Sequence, residues 1–532
     1  MTTLTKREVH IRKGRFSERE MFVVLGLLLV TILSRIPFCS RILYHWDSVN
    51  FAFAMQRFDV AADQPQSPGY IAYVWLCRLV DPLFHDPQRT MVCLSVAGSG
   101  MAVVAMYLLG RAMFGRRTGL VAALFLASSP LFWFYGEIAL PHTVDSFLVI
   151  LSAWLLYEVM LGQVGAVIPA AVSLAVAGGI RQQTPVFLAL LALFAGVRFV
   201  QRLGWRRGYR WGVLAVLVCG ILCAGWFFPL VNSVGGFARY RRLMAAYSGY
   251  YGASTSIFLG AGAQGLGHNL RKLVMYTLYG WNFSLIPLAA CGMVRLWRRR
   301  LIGQWEPALF LLTWVFPSLF FYTLIHMGQQ GLIFVFLPVP LLVSAQALVR
   351  LVEGRGRAAL VTGAVLFVVL NGTLFVALPE YPLGEERFKV LSWDTLRNND
   401  AYYQDRFDAI REHFPRESTV IVASRWRHVE WYLPEYVYLP FAIVGERGMG
   451  LGSSVGPESD ARVLTAGELG LSLSLGDTMA VVLFDRELGT FNLSPELTQS
   501  IILPDGATLE FMNLRESETL LYALDAFGVH GR

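Results

Sequence analysis

Charge is what this sequence has least of. Only 15% of its 532 residues are Asp, Glu, Lys or Arg, while 55% are hydrophobic. A soluble globular domain carries about 25% charged residues, so the deficit excludes a soluble enzyme of this length. The net charge of +8 comes from arginines in short segments between apolar runs. That is a topology signal rather than a nucleic-acid footprint, and no nucleic-acid partner is expected. Cysteine is also scarce, at six. Cys93, Cys219, Cys223 and Cys291 fall in apolar runs, and the region after residue 378 has none. Only Cys39 and Cys77 share a loop in which a disulfide could form. P-loop, GxSxG and HExxH motifs and internal repeats are all missing, so chemistry must be sought in where the polar residues fall.

What the chain has in abundance is apolar runs of spanning length, about 17–25 residues each. They lie near 20–38, 90–111, 118–135, 143–162, 164–180, 184–201, 211–231, 272–295, 305–325, 330–350 and 357–377. The expected fold is a mainly α, polytopic bundle of about eleven spans, followed by a small C-terminal α/β soluble domain. Residues 1–19 carry Lys6, Arg7, Arg12, Lys13 and Arg15, and no small-residue cleavage site follows the first run. An uncleaved signal anchor with a cytoplasmic N-terminus is expected. Arginines 111, 116, 117, 198, 202, 206, 207, 210, 295, 298–300, 350, 355 and 357 then all fall in inner loops. With an odd number of spans, the positive-inside rule places residues 378–532 outside.

Two outer segments are long, 39–89 and 232–271. Within the first, Asp47–Phe58 puts Val49, Phe53 and Phe51 toward one helical side, and Tyr70–Val80 is apolar but too short to span. Both read as helices in the interface plane, separated by the QPQSPG turn. In the tail, Asn399–Phe414 suits an amphipathic helix, Thr419–Ser424 and Met479–Phe484 suit buried strands, and Gly448–Asp460 is a Gly/Ser-rich loop.

Charges at a bilayer centre are costly, about 2.5–3.5 kcal/mol on insertion scales, and almost none sit mid-span here. Polar residues gather instead at the outer ends of the runs. Asp47 either caps a helix or serves as a general base. Glu137 is either an exposed turn acid or functional, and His142 and Asp145 follow it. Arg181 offers a fork for phosphate or snorkels to headgroups, with Gln182 beside it. Arg239 belongs to a basic cluster suited to anionic headgroups, and His326 and Gln329 lie in an HMGQQG turn.

Four stretches, HWDSVNFA with QPQSPGY, FWFYGEIALPHTVD, GGIRQQT and HMGQQGLIFVFLP, resemble the GT-C membrane glycosyltransferases. The likeness covers about residues 20–377 and is nearest to bacterial proteins of the O-mannosyltransferase-like group. The resemblance implies a transferase with a polyprenyl-phosphate-linked sugar as donor and a protein, lipid or glycan as acceptor. It implies catalytic roles for Asp47 and Glu137, phosphate binding by Arg181, and possible use of a divalent cation. Asp47 is followed by Ser48 rather than a second acid, which departs from better-known members. The rival reading is a transporter or lipid flippase.

Overall fold

Ser17 starts the first membrane helix by a reciprocal cap. Its hydroxyl accepts the Glu20 amide at 3.3 Å, and the Glu20 carboxylate accepts the Ser17 amide at 3.2 Å. In this computed structural model the described residues are 17–293, 305–380, 390–443, 462–464, 478–491, 495–515, 520–522 and 529–531. The expected Gly448–Asp460 loop and the basic segments 1–16 and 295–300 lie outside them.

From the N-terminus run α1 (Glu18–Arg35), α2 (Trp46–Gln56), α3 (Ile71–Val80), α4 (Pro87–Phe114), α5 (Arg116–Ser128) and α6 (Pro130–Tyr135). Next come α7 (His142–Met160), α8 (Val167–Ile180), α9 (Gln183–Leu203), α10 (Trp205–Ser233), α11 (Phe237–Thr255) and α12 (Gly262–Trp281). The bundle closes with α13 (Ile286–Met293), α14 (Trp305–Leu324), α15 (Pro338–Leu351) and α16 (Gly356–Ala377). Among the described residues eight helical segments are long and apolar enough to cross a membrane, and Val164–Ile180 and Pro338–Leu351 are shorter apolar helices. At one end of the bundle Glu20 pairs with Arg111 at 2.8 Å, and Glu306 pairs with Arg198 and Arg202. The opposite end carries Asp47 and the tail that packs against its loop.

Helices α4 and α7 form the centre. Asp86 caps α4 by accepting the Gln88 and Arg89 amides, ahead of Pro87 in the first turn. A methyl group added to Gly98 of α4 would sit 2.8 Å from the Val144 amide nitrogen of α7. Glycine there lets the two backbones touch and sets the depth of the α7 N-terminus.

Several sequence expectations change. The 118–135 run breaks at Ser129, whose neighbour Pro130 pushes it to an extended backbone, so two helices replace one. Residues 330–350 open with a 3-10 turn, Gln330–Val335, before α15. The second long loop contains α11 and the start of α12. Helices α2 and α3 form as expected but are not surface elements: Val49, Phe51, Tyr73 and Val74 lie in the main core. All six cysteines are free, including Cys39 and Cys77.

The tail contains α17 (Trp393–His413), α18 (Trp426–Tyr432) and strands β1 (Thr419–Ala423), β2 (Val437–Ile443), β3 (Arg462–Leu464), β4 (Thr478–Leu483), β5 (Thr498–Ile502), β6 (Thr508–Arg515), β7 (Leu520–Tyr522) and β8 (Val529–Gly531). Six strands form one sheet, ordered β5-β6-β4-β1-β2-β8, and β3 pairs with β7. Central β1 runs parallel to β2 and β4, with Val420 opposite Val437 and Val481. It is buried along its length, as expected of a covered parallel strand. On α17, Tyr403, Phe407 and Ile410 recur at helical spacing and pack with Ile421, Val482 and Phe484 beneath them.

Candidate active site

Asp47 lies in the first turn of α2, but it is not the cap. His45 takes that role, its Nδ1 accepting the Asp47 amide at 3.0 Å. The acceptor role puts the ring proton of neutral His45 on Nε2. The Asp47 carboxylate is therefore left for other work, in a position favoured by the helix N-terminus. Its Oδ2 accepts a 2.6 Å hydrogen bond from the Gln329 side-chain amide, 282 residues away, and lies 3.6 Å from His45 Nδ1. The sequence places His45 and Gln329 in separate motifs, and the fold joins them.

Arg181 ends α8 in an extended conformation and is buried. One guanidinium nitrogen is 3.7 Å from Asp145 Oδ2. The other carboxylate oxygen of Asp145 accepts a 2.7 Å hydrogen bond from Thr184. Gln182 donates to the Pro68 carbonyl at 3.1 Å and accepts from Tyr240 at 2.9 Å, tying α9 to the QPQSPG turn.

Tyr70, at the end of that turn, connects the groups. Burial pushes its phenol up to about 12, and its charged neighbours are Arg181, Asp47 and Asp145. Tyr247 and Tyr251 of α11 also feel Asp47, and Arg181 faces Tyr70, Tyr247 and Tyr322. His142 is buried against the Tyr135 ring, 4.8 Å between centroids, and has Arg181 as a charged neighbour. Gly331 packs directly on the His142 ring, where a side chain would collide with it. Asp47, Arg181, Asp145, His142, Gln182 and Gln329 thus share one tyrosine-lined site.

Three expected site residues do not join it. Glu137 is fully buried and faces α1 instead, with its carboxylate 3.9 Å from Arg35. Burial pushes that carboxyl up to about 8, and Arg35 opposes the shift. Arg35 also lies over Trp133 and donates to the Ala127 carbonyl, so Glu137 is a packing acid between α1 and α6. His326 contacts Thr255 through Nδ1 at 3.1 Å and the Tyr251 ring at 5.4 Å. Burial, with Lys272 and His268 nearby, pulls it down to about 4. It is a neutral brace between α11 and the end of α14. Arg239 is exposed, and its neighbour Tyr240 enters the network in its place.

His45, Tyr70, Thr184, Tyr240, Tyr247 and Tyr322 were not singled out from the sequence. Two had a signal: His45 precedes an acid at a helix start, and Tyr70 closes the Pro/Gly turn. Tyr322 lies inside an apolar run and had none. Among the described residues no group of three or more His, Cys, Asp or Glu side chains is placed to hold a metal ion.

Comparison with known proteins bears on this arrangement. A family model described as dolichyl-phosphate-mannose-protein mannosyltransferase matches residues 63–226. Among solved structures, ArnT from Cupriavidus metallidurans bound to undecaprenyl phosphate superposes with a TM-score of 0.58 at 13% identity, covering 93% of this chain and 97% of that one. The chain has the fold of that ArnT. The apo form of the same ArnT gives a TM-score of 0.56 at 12% identity over the same shares. The oligosaccharyltransferase of Archaeoglobus fulgidus in complex with Zn and sulfate gives 0.46 at 12% identity, over 94% of this chain and 74% of that one. No curated protein sequence matches the chain. The family match runs from α3 into α10 of this chain and so includes Arg181 and Asp145, while Asp47 lies before it.

Proposed function

We propose that this chain transfers a sugar from a polyprenyl-phosphate-linked donor to an acceptor hydroxyl at the outer face of a bacterial inner membrane. The observation that carries the reading is that Asp47 and Arg181, an acid and a cation 134 positions apart, are joined through one set of contacts: Gln329 bonds Asp47, Gly331 packs on His142, and Asp145 of the same helix start pairs with Arg181. ArnT, which shares the fold, was solved with undecaprenyl phosphate bound. In the reaction, the acceptor oxygen attacks the anomeric carbon while the carbon–oxygen bond to phosphate breaks. Asp47 takes the acceptor proton, oriented by the Gln329 amide, and the bonding pair departs with the phosphate. Arg181 holds the phosphate oxygens through its planar fork, and Asp145 and Thr184 hold Arg181. A buried cation aimed at developing negative charge is stronger there than in water.

The arginine distribution supports a cytoplasmic N-terminus and an extracytoplasmic tail. Membrane lipids carry the donor chain, and the acceptor can be protein, lipid or glycan. Transport is not favoured, because the ionisable groups gather at one end of the bundle rather than near its midplane. Asp47→Asn keeps the shape but not the base. It is expected to lower transfer in proteoliposomes by about 10²–10⁴-fold with unchanged yield and melting temperature. Wild-type transfer by that variant removes Asp47 from catalysis.

A further inference from the structure

The stretch joining α1 to α2 has no secondary structure over Cys39–His45, yet its backbone polar groups are not left to water. The Asp400 carboxylate accepts the amides of Arg41 at 2.8 Å and Ile42 at 3.1 Å. The Tyr432 hydroxyl accepts the Leu43 amide at 2.9 Å. The Leu43 carbonyl lies 2.8 Å from His428 Nε2, which must donate because a carbonyl only accepts. All three side chains come from the tail, Asp400 on α17 and His428 and Tyr432 on α18, more than 350 positions away in sequence.

The grip extends along α2. The Trp46 ring meets Trp426 edge to face at 5.2 Å, and Phe53 meets Trp431 at 4.9 Å. Arg427 reaches past α2 to the Ala62 carbonyl at 2.6 Å and lies over the Phe53 and Trp426 rings. Asp47 is four residues from Leu43, directly after Trp46 and before Phe53, so contacts with the tail flank it on both sides. A catalytic base must be held within hydrogen-bond reach of its proton, and misplacement of about 1 Å can cost a hundredfold in rate.

We propose that the tail is a positioning element of the active site: His428, Tyr432 and Asp400 clamp the Arg41–Leu43 backbone and thereby fix the placement of Asp47. None of the three touches substrate. The inference rests on the glycosyltransferase reading, since it names what sets the geometry of that same base.

The test uses the full chain in proteoliposomes with a polyprenyl-phosphate sugar. His428→Ala and Asp400→Ala are expected to lower kcat by roughly tenfold or more, leaving KM for donor and acceptor within about twofold. His428→Gln, which restores a side-chain N–H near the Nε2 position, is expected to recover most of the loss. Hydrogen exchange on the purified protein supplies a readout that survives loss of activity. The amides of Arg41, Ile42 and Leu43 are expected to exchange at least about tenfold faster in Asp400→Ala and Tyr432→Phe. A raised KM for the acceptor with kcat intact overturns the proposal in favour of acceptor binding by the tail. Unchanged exchange at 41–43, or wild-type kcat in His428→Ala, also overturns it. Activity retained in Asp47→Asn defeats the glycosyltransferase mechanism instead, while the exchange data still report on the clamp.

Discussion

A single polar side chain in this site takes its role from its partner. Read by itself Asp47 suits capping a helix better than acting as a base, yet His45 caps α2 and leaves the Asp47 carboxylate out of that role. Arg181 was balanced between phosphate binding and headgroup snorkelling. Its burial and its placement beside Asp145 remove the second reading, since a snorkelling cation reaches water. Arg181→Lys keeps the charge but loses the fork. It is expected to raise KM for the lipid-linked donor by roughly tenfold, read from steady-state kinetics in proteoliposomes. Arg181→Ala goes further by leaving the Asp145 carboxyl buried without its cation. Breaking a buried pair costs about 3–5 kcal/mol, so a lower melting temperature is expected alongside the lost transfer. Glu137 shows the opposite lesson. Its motif was suggestive, but Arg35 lies against it and turns it toward α1.

The elements carry those side chains with little slack. The contact of α4 with α7 at Gly98 sets the height of the α7 start that carries the buried His142 and Asp145. Gly98→Val would press a side chain on the Val144 backbone, which cannot yield as a side chain can. It is expected to destabilise by about 1–3 kcal/mol and to reduce transfer by displacing α7. Gly100→Ala is the matched control, because its new methyl meets only the ends of the Leu28 and Ile32 side chains. Equal melting temperatures for the two variants would show that this backbone contact is not needed. Helix α11 deserves the same reading. It was expected as part of a loop, yet its Tyr251 ring meets His326 in the turn whose Gln329 bonds Asp47. Its low hydropathy hid it from a search for apolar runs, because a helix with arginines and tyrosines on its surface carries no spanning signal.

For the molecule as a whole, the bundle and the tail meet through titratable groups, His428 buried and Asp400 half-buried. Burial pulls His428 down to about 3 from an ordinary value of 6.5, against the opposing Leu43 carbonyl. A depressed histidine contributes stability that is fully present above its unfolded value and is lost as pH falls through the window from about 6.5 toward 3. Asp400 is shifted up to about 6 by burial, against the amides of Arg41 and Ile42. Its contribution has the opposite sign, being present below about 3.8 and lost as pH rises through 6. The two are separated by comparing the wild type with His428→Gln. The melting temperature of the wild type relative to that variant is expected to fall between pH 7 and pH 5. A difference that stays constant over that interval would show that His428 does not titrate against the docked state.

By itself the sequence determined the class of the protein. Long apolar runs, sparse charge and arginines on alternate connections specify a membrane bundle, because each run must satisfy its own backbone in lipid. The strands Thr419–Ser424 and Met479–Phe484 and the helix near Asn399–Phe414 were legible for a similar reason, since short β-branched runs and amphipathic spacing are local signals. The tertiary structure alone decided which polar residues meet. Gln329 reaches Asp47 across 282 positions, and Asp400 reaches Arg41 across 359. No periodicity encodes such pairs, because they depend on how helices cross and not on how each one forms. The same reason explains why Glu137, His326 and Arg239 could not be separated from Asp47 and Arg181 by sequence. All five lie near the same end of the bundle, and only packing determines which of them face the site.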